Sequence, residues 1–167
     1  LGLGRIGKAV ARRAEVFGLH IAYHDIKPMG DLLYRSYPTL GDLAAASDIL
    51  LVACEGGQAT AGLVDGAVLD ALGPDGFLIN AARGTIIDQP ALVSALRDGR
   101  IAGAALDVFD GEPEVPAEMM AMENVILTPH IASSTHETRR AMGDLVYDNI
   151  RAHFDGKPVL TPVPPQI

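Results

Sequence analysis

Short apolar runs alternate along the chain with longer segments whose apolar residues recur at helical spacing. The apolar runs are rich in β-branched residues, which is typical of buried strands. They predict strands at residues 19–24, 48–54, 77–80, 101–108 and 125–128. The helical segments predict helices at residues 5–18, 39–47, 88–97 and 135–154. A short helix is expected before the Gly73–Pro74 turn, and a loop at residues 27–38.

This alternation predicts right-handed β-α-β units and an α/β fold built on a doubly wound parallel sheet. The apolar run at residues 49–54 suits a strand of a parallel sheet that is covered on both faces. We assign residues 1–155 to one domain of this kind and residues 156–167 to a proline-rich tail. Because polar motifs follow the predicted strands, we expect them at the C-terminal edge of the sheet, where such folds bind ligands.

The sequence GLGRIG at residues 2–7 matches the G-x-G-x-x-G fingerprint of dinucleotide-binding domains and opens the first predicted helix. Gly2 would permit a tight turn, and Gly4 would let a pyrophosphate approach the backbone. Gly7 would allow close packing of the helix. A Rossmann-type cofactor domain is therefore predicted.

The residues next to the fingerprint bear on the choice of cofactor. Arg5 and Ile6 open the helix, whose free N–H groups attract phosphate, and we predict that both contact the cofactor. The following strand ends at Asp25, where a carboxylate is expected to bind the adenosine ribose and to repel the 2′-phosphate of NADP. We therefore predict NAD. NADP stays open as an alternative because Lys27 is near enough to soften that repulsion.

Composition and charge disfavour several other classes of partner and site. The formal net charge of −8 disfavours nucleic acids and anionic membranes as partners. No apolar run is long enough to span a bilayer, and no metal site is predicted. The single cysteine, Cys54, fits a reducing compartment, so we expect a cytoplasmic protein. Because the fingerprint starts one residue after Leu1, we expect a piece of a longer protein with a truncated first strand.

Three polar segments follow predicted strands: NAARG at residues 80–84, DVFDGEP at 107–113 and TPHIAS at 128–133. In these motifs and their order, from Leu1 to about Pro162, the sequence resembles the NAD-dependent D-2-hydroxyacid dehydrogenases. The resemblance implies hydride transfer between NAD(H) and a small 2-hydroxy or 2-keto acid. It also implies a homodimer and a substrate domain that is largely missing here. We expect the chain alone to bind cofactor but to turn over little substrate.

The resemblance assigns the chemistry to Arg83, Glu112 and His130. Arg83 would grip the substrate carboxylate and polarise the adjoining carbonyl. His130 would exchange a proton with the carbonyl oxygen, and Glu112 would orient the imidazole and favour its charged form. A glutamate here, where formate dehydrogenases have glutamine, points to a hydroxyl/carbonyl couple. Arg83 and His130 are also predicted to contact the cofactor. The remaining predicted cofactor contacts are Ala53, Cys54, Thr60, Ala81, Ala82, Asp107 and Ala132.

Residues 53–60 resemble the glyoxylate and hydroxypyruvate reductase branch, except that Glu55 stands where that branch commonly has proline. Thr60 is expected to cap the next helix in preference to touching the pyrophosphate, and Cys54 to be a small buried residue. Two alternatives stay open. One is an enzyme of the phosphoglycerate or lactate type, and the other is an NAD-sensing, non-catalytic corepressor of the same family.

Overall fold

The computed structural model describes residues 1–27 and 33–163. Within them the strands are β1 (Ala22–Tyr23), β2 (Arg35–Ser36), β3 (Ile49–Val52), β4 (Phe77–Asn80), β5 (Gly103–Leu106) and β6 (Val125–Leu127). The helices are α1 (Arg5–Val16), α2 (Leu40–Ala45), α3 (Gly66–Leu72), α4 (Gln89–Arg97), α5 (Ala117–Met120) and α6 (His136–Phe154). Short 3₁₀ turns occupy Gln58–Thr60 and Gly84–Ile86. The chain divides into two compact units, Leu1–Pro129 and His130–Ile167.

The first unit contains two groups of parallel strands. β1 pairs with β2, and β3, β4, β5 and β6 form a four-stranded sheet in that order. The first residues of the chain lie between the two groups. The Ala53 N–H donates to the Leu1 carbonyl at 2.8 Å, and the Gly2 N–H donates to the His24 carbonyl at 2.9 Å. The order of strands therefore reverses at Leu1–Gly2, and the predicted doubly wound parallel fold is confirmed.

The main core lies on one face of the four-stranded sheet. Leu50 and Leu78 on adjacent strands are fully buried and belong to one apolar cluster with residues of α2, α3 and α4. The opposite face is less covered than predicted, because Ile49 and Phe77 are 44% and 49% exposed. Their strands carry the uniform apolar pattern of a sheet covered on both faces, so the pattern alone overstated their burial.

Side-chain caps explain where three helices of the first unit begin. As predicted, Thr39 caps α2, and Asp65 and Asp88 cap α3 and α4 in the same manner. Each side-chain oxygen accepts a hydrogen bond from the N–H three residues on, which is worth about 1 kcal/mol. Pro90 lies in the first turn of α4, where its missing N–H costs nothing.

Three short elements depart from the predicted pattern. β2 lies within the predicted loop at residues 27–38, of which residues 28–32 fall outside the described residues. Both residues of β2 are exposed, so no apolar pattern marked it, and its pairing with β1 is a backbone interaction. α5 lies in the predicted proline-rich loop, where the fully buried Met119 anchors it. The predicted strand at residues 19–24 is only two residues long.

The second unit, His130–Ile167, contains α6 and the tail that follows it. Thr135 caps α6 by accepting from the Thr138 N–H at 3.2 Å, and the predicted helix is confirmed. The Asn149 amide donates to the Thr161 hydroxyl at 2.9 Å and accepts from the Thr161 N–H at 3.1 Å. The tail is thereby tied back to the helix, and its residues 164–167 fall outside the described part. Among the described residues, no helix has the length and apolarity needed to cross a bilayer.

Candidate cofactor and substrate site

The glycine-rich turn is shaped by close approach of backbone to backbone. Gly2 has a φ of 81°, and a Cβ there would lie 2.6 Å from the Cα of Cys54. A Cβ on Gly7 would lie 2.3 Å from the Gly2 carbonyl oxygen. A Cβ on Gly4, by contrast, would meet nothing within 4 Å. Gly2 and Gly7 therefore pack the turn, whereas Gly4 leaves open space next to the start of α1, as a pyrophosphate requires.

The start of α1 is suited to an anion. Gly4 provides no side-chain cap, and the first turn contains no acidic residue. Its N–H groups therefore have no side-chain acceptor and can bind phosphate oxygens. Arg5 is exposed there, and Ile6 is 68% exposed, which is unusual for a large apolar side chain next to a structured turn. These residues fit the pyrophosphate and adjoining parts of a dinucleotide.

Asp25 lies two residues after β1 and holds the glycine-rich turn in place. One carboxylate oxygen accepts from the Leu3 N–H at 2.7 Å, and the other accepts from the Lys27 N–H at 3.1 Å. The sequence predicted a ribose-binding role for Asp25 and did not indicate this bracing role. The ribose contact stays a prediction, and both oxygens already carry a backbone hydrogen bond.

The carboxyl ends of the four main strands form one edge. The strand register aligns Val52 with Asn80, Asn80 with Leu106, and Leu106 with Leu127. The predicted site residues that follow these positions are Ala53, Cys54, Ala81, Ala82, Arg83 and Asp107. Their expected position at the C-terminal edge is confirmed.

Asp107 is fixed at this edge. Its side chain is buried, and one carboxylate oxygen accepts from the Thr128 hydroxyl at 2.5 Å. Its N–H donates to the Asn80 carbonyl at 2.9 Å. Asp107 is therefore held at the sheet edge through both its side chain and its backbone.

Asn80 holds the turn that carries Arg83. The Asn80 amide donates to the Arg83 carbonyl at 3.0 Å and accepts from the Ala82 N–H at 3.0 Å, and the side chain is almost completely buried. The Arg83 guanidinium is exposed and donates to the Ala82 carbonyl at 2.6 Å. None of the ion pairs within the described residues involves Arg83.

The loop that carries Glu112 is supported from two sides. One Glu112 carboxylate oxygen accepts from the Phe109 N–H at 2.9 Å. The Gln89 amide accepts from the Asp110 N–H at 3.1 Å and donates to the Asp110 carbonyl at 3.4 Å. A Cβ on Gly84 would lie 1.9 Å from the carbonyl carbon of Phe109. The absence of a side chain at Gly84 therefore lets the Arg83 and Glu112 loops pack directly on each other.

His130 and Ala132 belong to the second compact unit, so the predicted pairing of His130 with Glu112 stays a prediction. His130 has a φ of 53°, in the left-handed region that non-glycine residues rarely adopt. Such backbone strain costs about 1–3 kcal/mol and occurs often at functional sites. The sequence gives no sign of this conformation.

Two predictions made for the loop after β3 are tested by the structure. Cys54 is half-buried and free, and burial raises the pKa of its thiol, as suits a structural rather than a nucleophilic cysteine. The expected capping role of Thr60 is wrong, because Asp65 caps α3. The Thr60 hydroxyl instead donates to the Glu55 carbonyl at 2.8 Å and to the Gly57 carbonyl at 3.2 Å, and so closes the loop on itself.

Three supporting residues were not predicted from the sequence, namely Asn80, Gly84 and Gln89. All of them act on a neighbouring backbone, and none has a residue type that indicates chemistry. A polar residue at the end of an apolar strand was the available signal for Asn80. Among the described residues, histidine, cysteine and acidic side chains nowhere form a group of three or more able to hold a metal ion.

Comparison with known proteins identifies the family. The model of the D-isomer specific 2-hydroxyacid dehydrogenase NAD-binding domain matches residues 1–132. The chain belongs to this family. The match includes the glycine-rich turn and the loops that carry Arg83, Glu112 and His130, so the predicted family, fold and NAD-binding character are confirmed.

Individual relatives of the family include glyoxylate/hydroxypyruvate reductases, as the predicted branch implies. The chain is 54% identical to a glyoxylate/hydroxypyruvate reductase A of Arabidopsis thaliana, over 98% of this chain and 52% of that protein. It is 46% identical to a 2-ketogluconate reductase of Gluconobacter oxydans, over 97% of this chain and 52% of that protein. The crystal structure of an NADPH-dependent glyoxylate/hydroxypyruvate reductase from Sinorhizobium meliloti, in complex with NADP and malonate, matches with a TM-score of 0.96. That match has 51% identity and covers 98% of this chain and 51% of the other. The chain therefore spans about half the length of the curated relatives it matches.

Proposed function

We propose that this chain is the cofactor-binding half of an NAD(P)H-dependent reductase that converts a small 2-keto acid into a 2-hydroxy acid. One observation supports this most directly. The loops of Arg83 and Glu112 pack on each other at the same sheet edge as the open glycine-rich turn. A cofactor on that turn would run along this edge, towards an exposed guanidinium that no described carboxylate neutralises.

The residues of the chain would divide the work of reduction as follows. A bound nicotinamide supplies the hydride that adds to the substrate carbonyl carbon. Arg83 binds the substrate carboxylate with its planar fork of donors and stabilises the negative charge that develops on the carbonyl oxygen. His130 donates a proton to that oxygen and takes it back in the reverse direction. Glu112, held by the Phe109 N–H, orients the imidazole and favours its protonated form.

Glyoxylate and hydroxypyruvate are the substrates that we propose, on the strength of the reductases of this branch at 51–54% identity. Steady-state rates with the complete protein that contains this chain test the proposal. We expect glyoxylate or hydroxypyruvate to give the highest kcat/KM among small 2-keto acids. If the protein reduces neither glyoxylate nor hydroxypyruvate nor any other 2-keto acid, the proposed function is overturned and the corepressor alternative is favoured.

For the cofactor we propose NAD(H), with NADP(H) as the alternative. Asp25 supports NAD(H) because its carboxylate would repel a 2′-phosphate. The bracing bonds of Asp25 and the NADP bound to the Sinorhizobium meliloti reductase support the alternative. Calorimetric titration of the chain with NADH and NADPH distinguishes them. Tighter NADH binding that weakens in Asp25→Ala supports NAD(H), and equal or tighter NADPH binding would refute the ribose argument.

Residues 1–155 are proposed as the cofactor domain, and the tail at 156–167 as the start of a return to a substrate domain. The chain alone should then bind cofactor without appreciable turnover. Detectable reduction of glyoxylate by the purified chain would contradict this division of labour.

We further propose a cytoplasmic homodimer. Met142, Val146 and Ile150 lie on one face of α6 and are 57%, 59% and 53% exposed, which favours association through this helix. The free Cys54 suits a reducing compartment. Light scattering coupled to size-exclusion chromatography should give twice the monomer mass, and a monomer at micromolar concentration would refute the dimer.

A further inference from the structure

We infer that Gly56 is a positioning residue for Arg83. This inference rests on the proposed function, in which Arg83 binds the substrate carboxylate. Gly56 lies in the exposed loop after β3, where a Cβ would be 2.4 Å from the Cγ and 2.7 Å from the Cβ of Arg83. The stem of Arg83 therefore lies directly against the backbone of Gly56, in space that any side chain at position 56 would fill.

The clash could not be relieved by turning the guanidinium alone. The atoms in contact are the first two carbons of the Arg83 side chain. The Cγ moves only when χ1 rotates, and the Cβ moves only with the backbone. Carbon atoms normally approach to about 3.5–4.0 Å, so a methyl group at position 56 would require a displacement of about 1 Å.

The backbone of Arg83 cannot easily provide that displacement. The buried Asn80 amide holds the Ala82 N–H and the Arg83 carbonyl, each at 3.0 Å. On the other side, Gly84 packs so closely on Phe109 that there is no room for a Cβ. A change of χ1 would relieve the contact with Cγ and swing the guanidinium away from the Ala82 carbonyl, which it contacts at 2.6 Å. The contact with the Arg83 Cβ would in addition require a small shift of the backbone between the two positions.

The neighbouring glycine provides a matched contrast. A Cβ on Gly57 would meet nothing within 4 Å, and its φ of 167° is extended backbone that any residue adopts. The φ of Gly56 does not lie in the left-handed region either. Glycine is thus needed at position 56 for the room that it leaves to Arg83, and at position 57 an alanine can be accommodated.

The test uses the complete protein with saturating NADH and varied glyoxylate. We expect Gly56→Ala to lower kcat/KM by about 10- to 100-fold, mainly through KM, because a carboxylate grip misplaced by about 1 Å loses that much. NADH affinity, measured by calorimetry, should stay at the wild-type value. Gly57→Ala should stay within about twofold of wild type in every parameter. A wild-type kcat/KM in Gly56→Ala, or an equal loss in Gly57→Ala, would overturn the inference.

A double-mutant cycle separates an effect through Arg83 from a general disturbance of the loop. In an Arg83→Ala background, Gly56→Ala should change kcat/KM by less than about twofold, whereas independent effects would multiply. If the wild-type protein reduces no 2-keto acid, the proposed function fails, and a crystal structure of Gly56→Ala then decides the inference. Displacement of the Arg83 Cγ by about 1 Å supports it. An Arg83 that keeps its place while the loop at residues 55–57 shifts overturns it.

Discussion

Replacing Asn80 by alanine would remove the side chain that shapes the Arg83 turn. Asn80 is the last residue of β4 and is 1% exposed. Its amide makes one hydrogen bond as donor and one as acceptor, both at 3.0 Å and both to backbone within the next three residues. Alanine would leave the Arg83 carbonyl and the Ala82 N–H without these partners and would create a small cavity.

The expected loss of stability follows from these contacts. Each hydrogen bond contributes about 1 kcal/mol net, and leaving a part-buried backbone group without its partner adds to that. The lost hydrogen bonds and the small cavity together should lower the free energy of unfolding by about 2–4 kcal/mol. This is a large part of the total stability of a domain, which is typically about 5–15 kcal/mol.

Urea denaturation of the chain measures this effect, and Asn124 provides the matched control. The Asn124 amide also makes two hydrogen bonds to backbone groups, but it donates both, to carbonyls at 3.3 and 3.4 Å, and the residue is exposed. Asn124→Ala should therefore cost less than about 1 kcal/mol. In the complete protein, Asn80→Ala should also lower kcat/KM, whereas Asn124→Ala should not. Equal stability losses in the two variants would refute the argument that burial and short hydrogen bonds make Asn80 the support of this turn.

Three further predictions concern residues around the glycine-rich turn and the second unit. Asp25→Ala should lower the cofactor-free stability by about 1–3 kcal/mol through loss of the Leu3 brace, and an unchanged urea midpoint would contradict the bracing role. His130→Asn should lower the melting temperature less than His130→Ala, because asparagine tolerates a positive φ, while turnover by the complete protein falls at least about 100-fold; an equal or larger loss of stability in His130→Asn would refute the strain argument. Burial raises the pKa of Cys54, so iodoacetamide at neutral pH should alkylate it more slowly than free cysteine, and NADH should slow it further. Mass spectrometry would follow this reaction, and a rate that NADH leaves unchanged would argue against cofactor binding beside Cys54.

The sequence predicted those parts of the fold that depend on apolar pattern and capping. β4 was predicted to the residue. The bounds of α1, α2, α4 and α6 were predicted to within about two residues, because each of these helices combines a clear apolar period with a capping residue or a terminating glycine. β2 was not predicted because both of its residues are exposed, so main-chain pairing alone defines it. α5 was not predicted because one buried residue, Met119, anchors a single turn.

In the candidate site, too, the sequence indicates residue types but not the contacts that folding creates. Arg83, Asp107 and Glu112 were proposed for the site because the polar segments that carry them follow strands and resemble those of the family, and their roles stay predictions. The supports of these residues could not be predicted, since an amide such as Asn80 or Gln89 acts here only through backbone groups brought near it by folding. The bracing role of Asp25 was hidden for the same reason, because the Leu3 N–H is distant in sequence.

The use of neutral supports has a consequence for Arg83 itself. Its turn is held by an amide, its stem lies on a glycine, and its guanidinium donates to a backbone carbonyl. A carboxylate partner would hold the guanidinium equally well but would neutralise most of its charge before a substrate arrived. With a carbonyl as its partner, the side chain is oriented and keeps its full charge and further donors for an anionic ligand. Uncharged supports therefore suit a site that is proposed to bind a carboxylate. Because amides and glycines do not by their residue type indicate chemistry, the sequence alone does not identify them as supports.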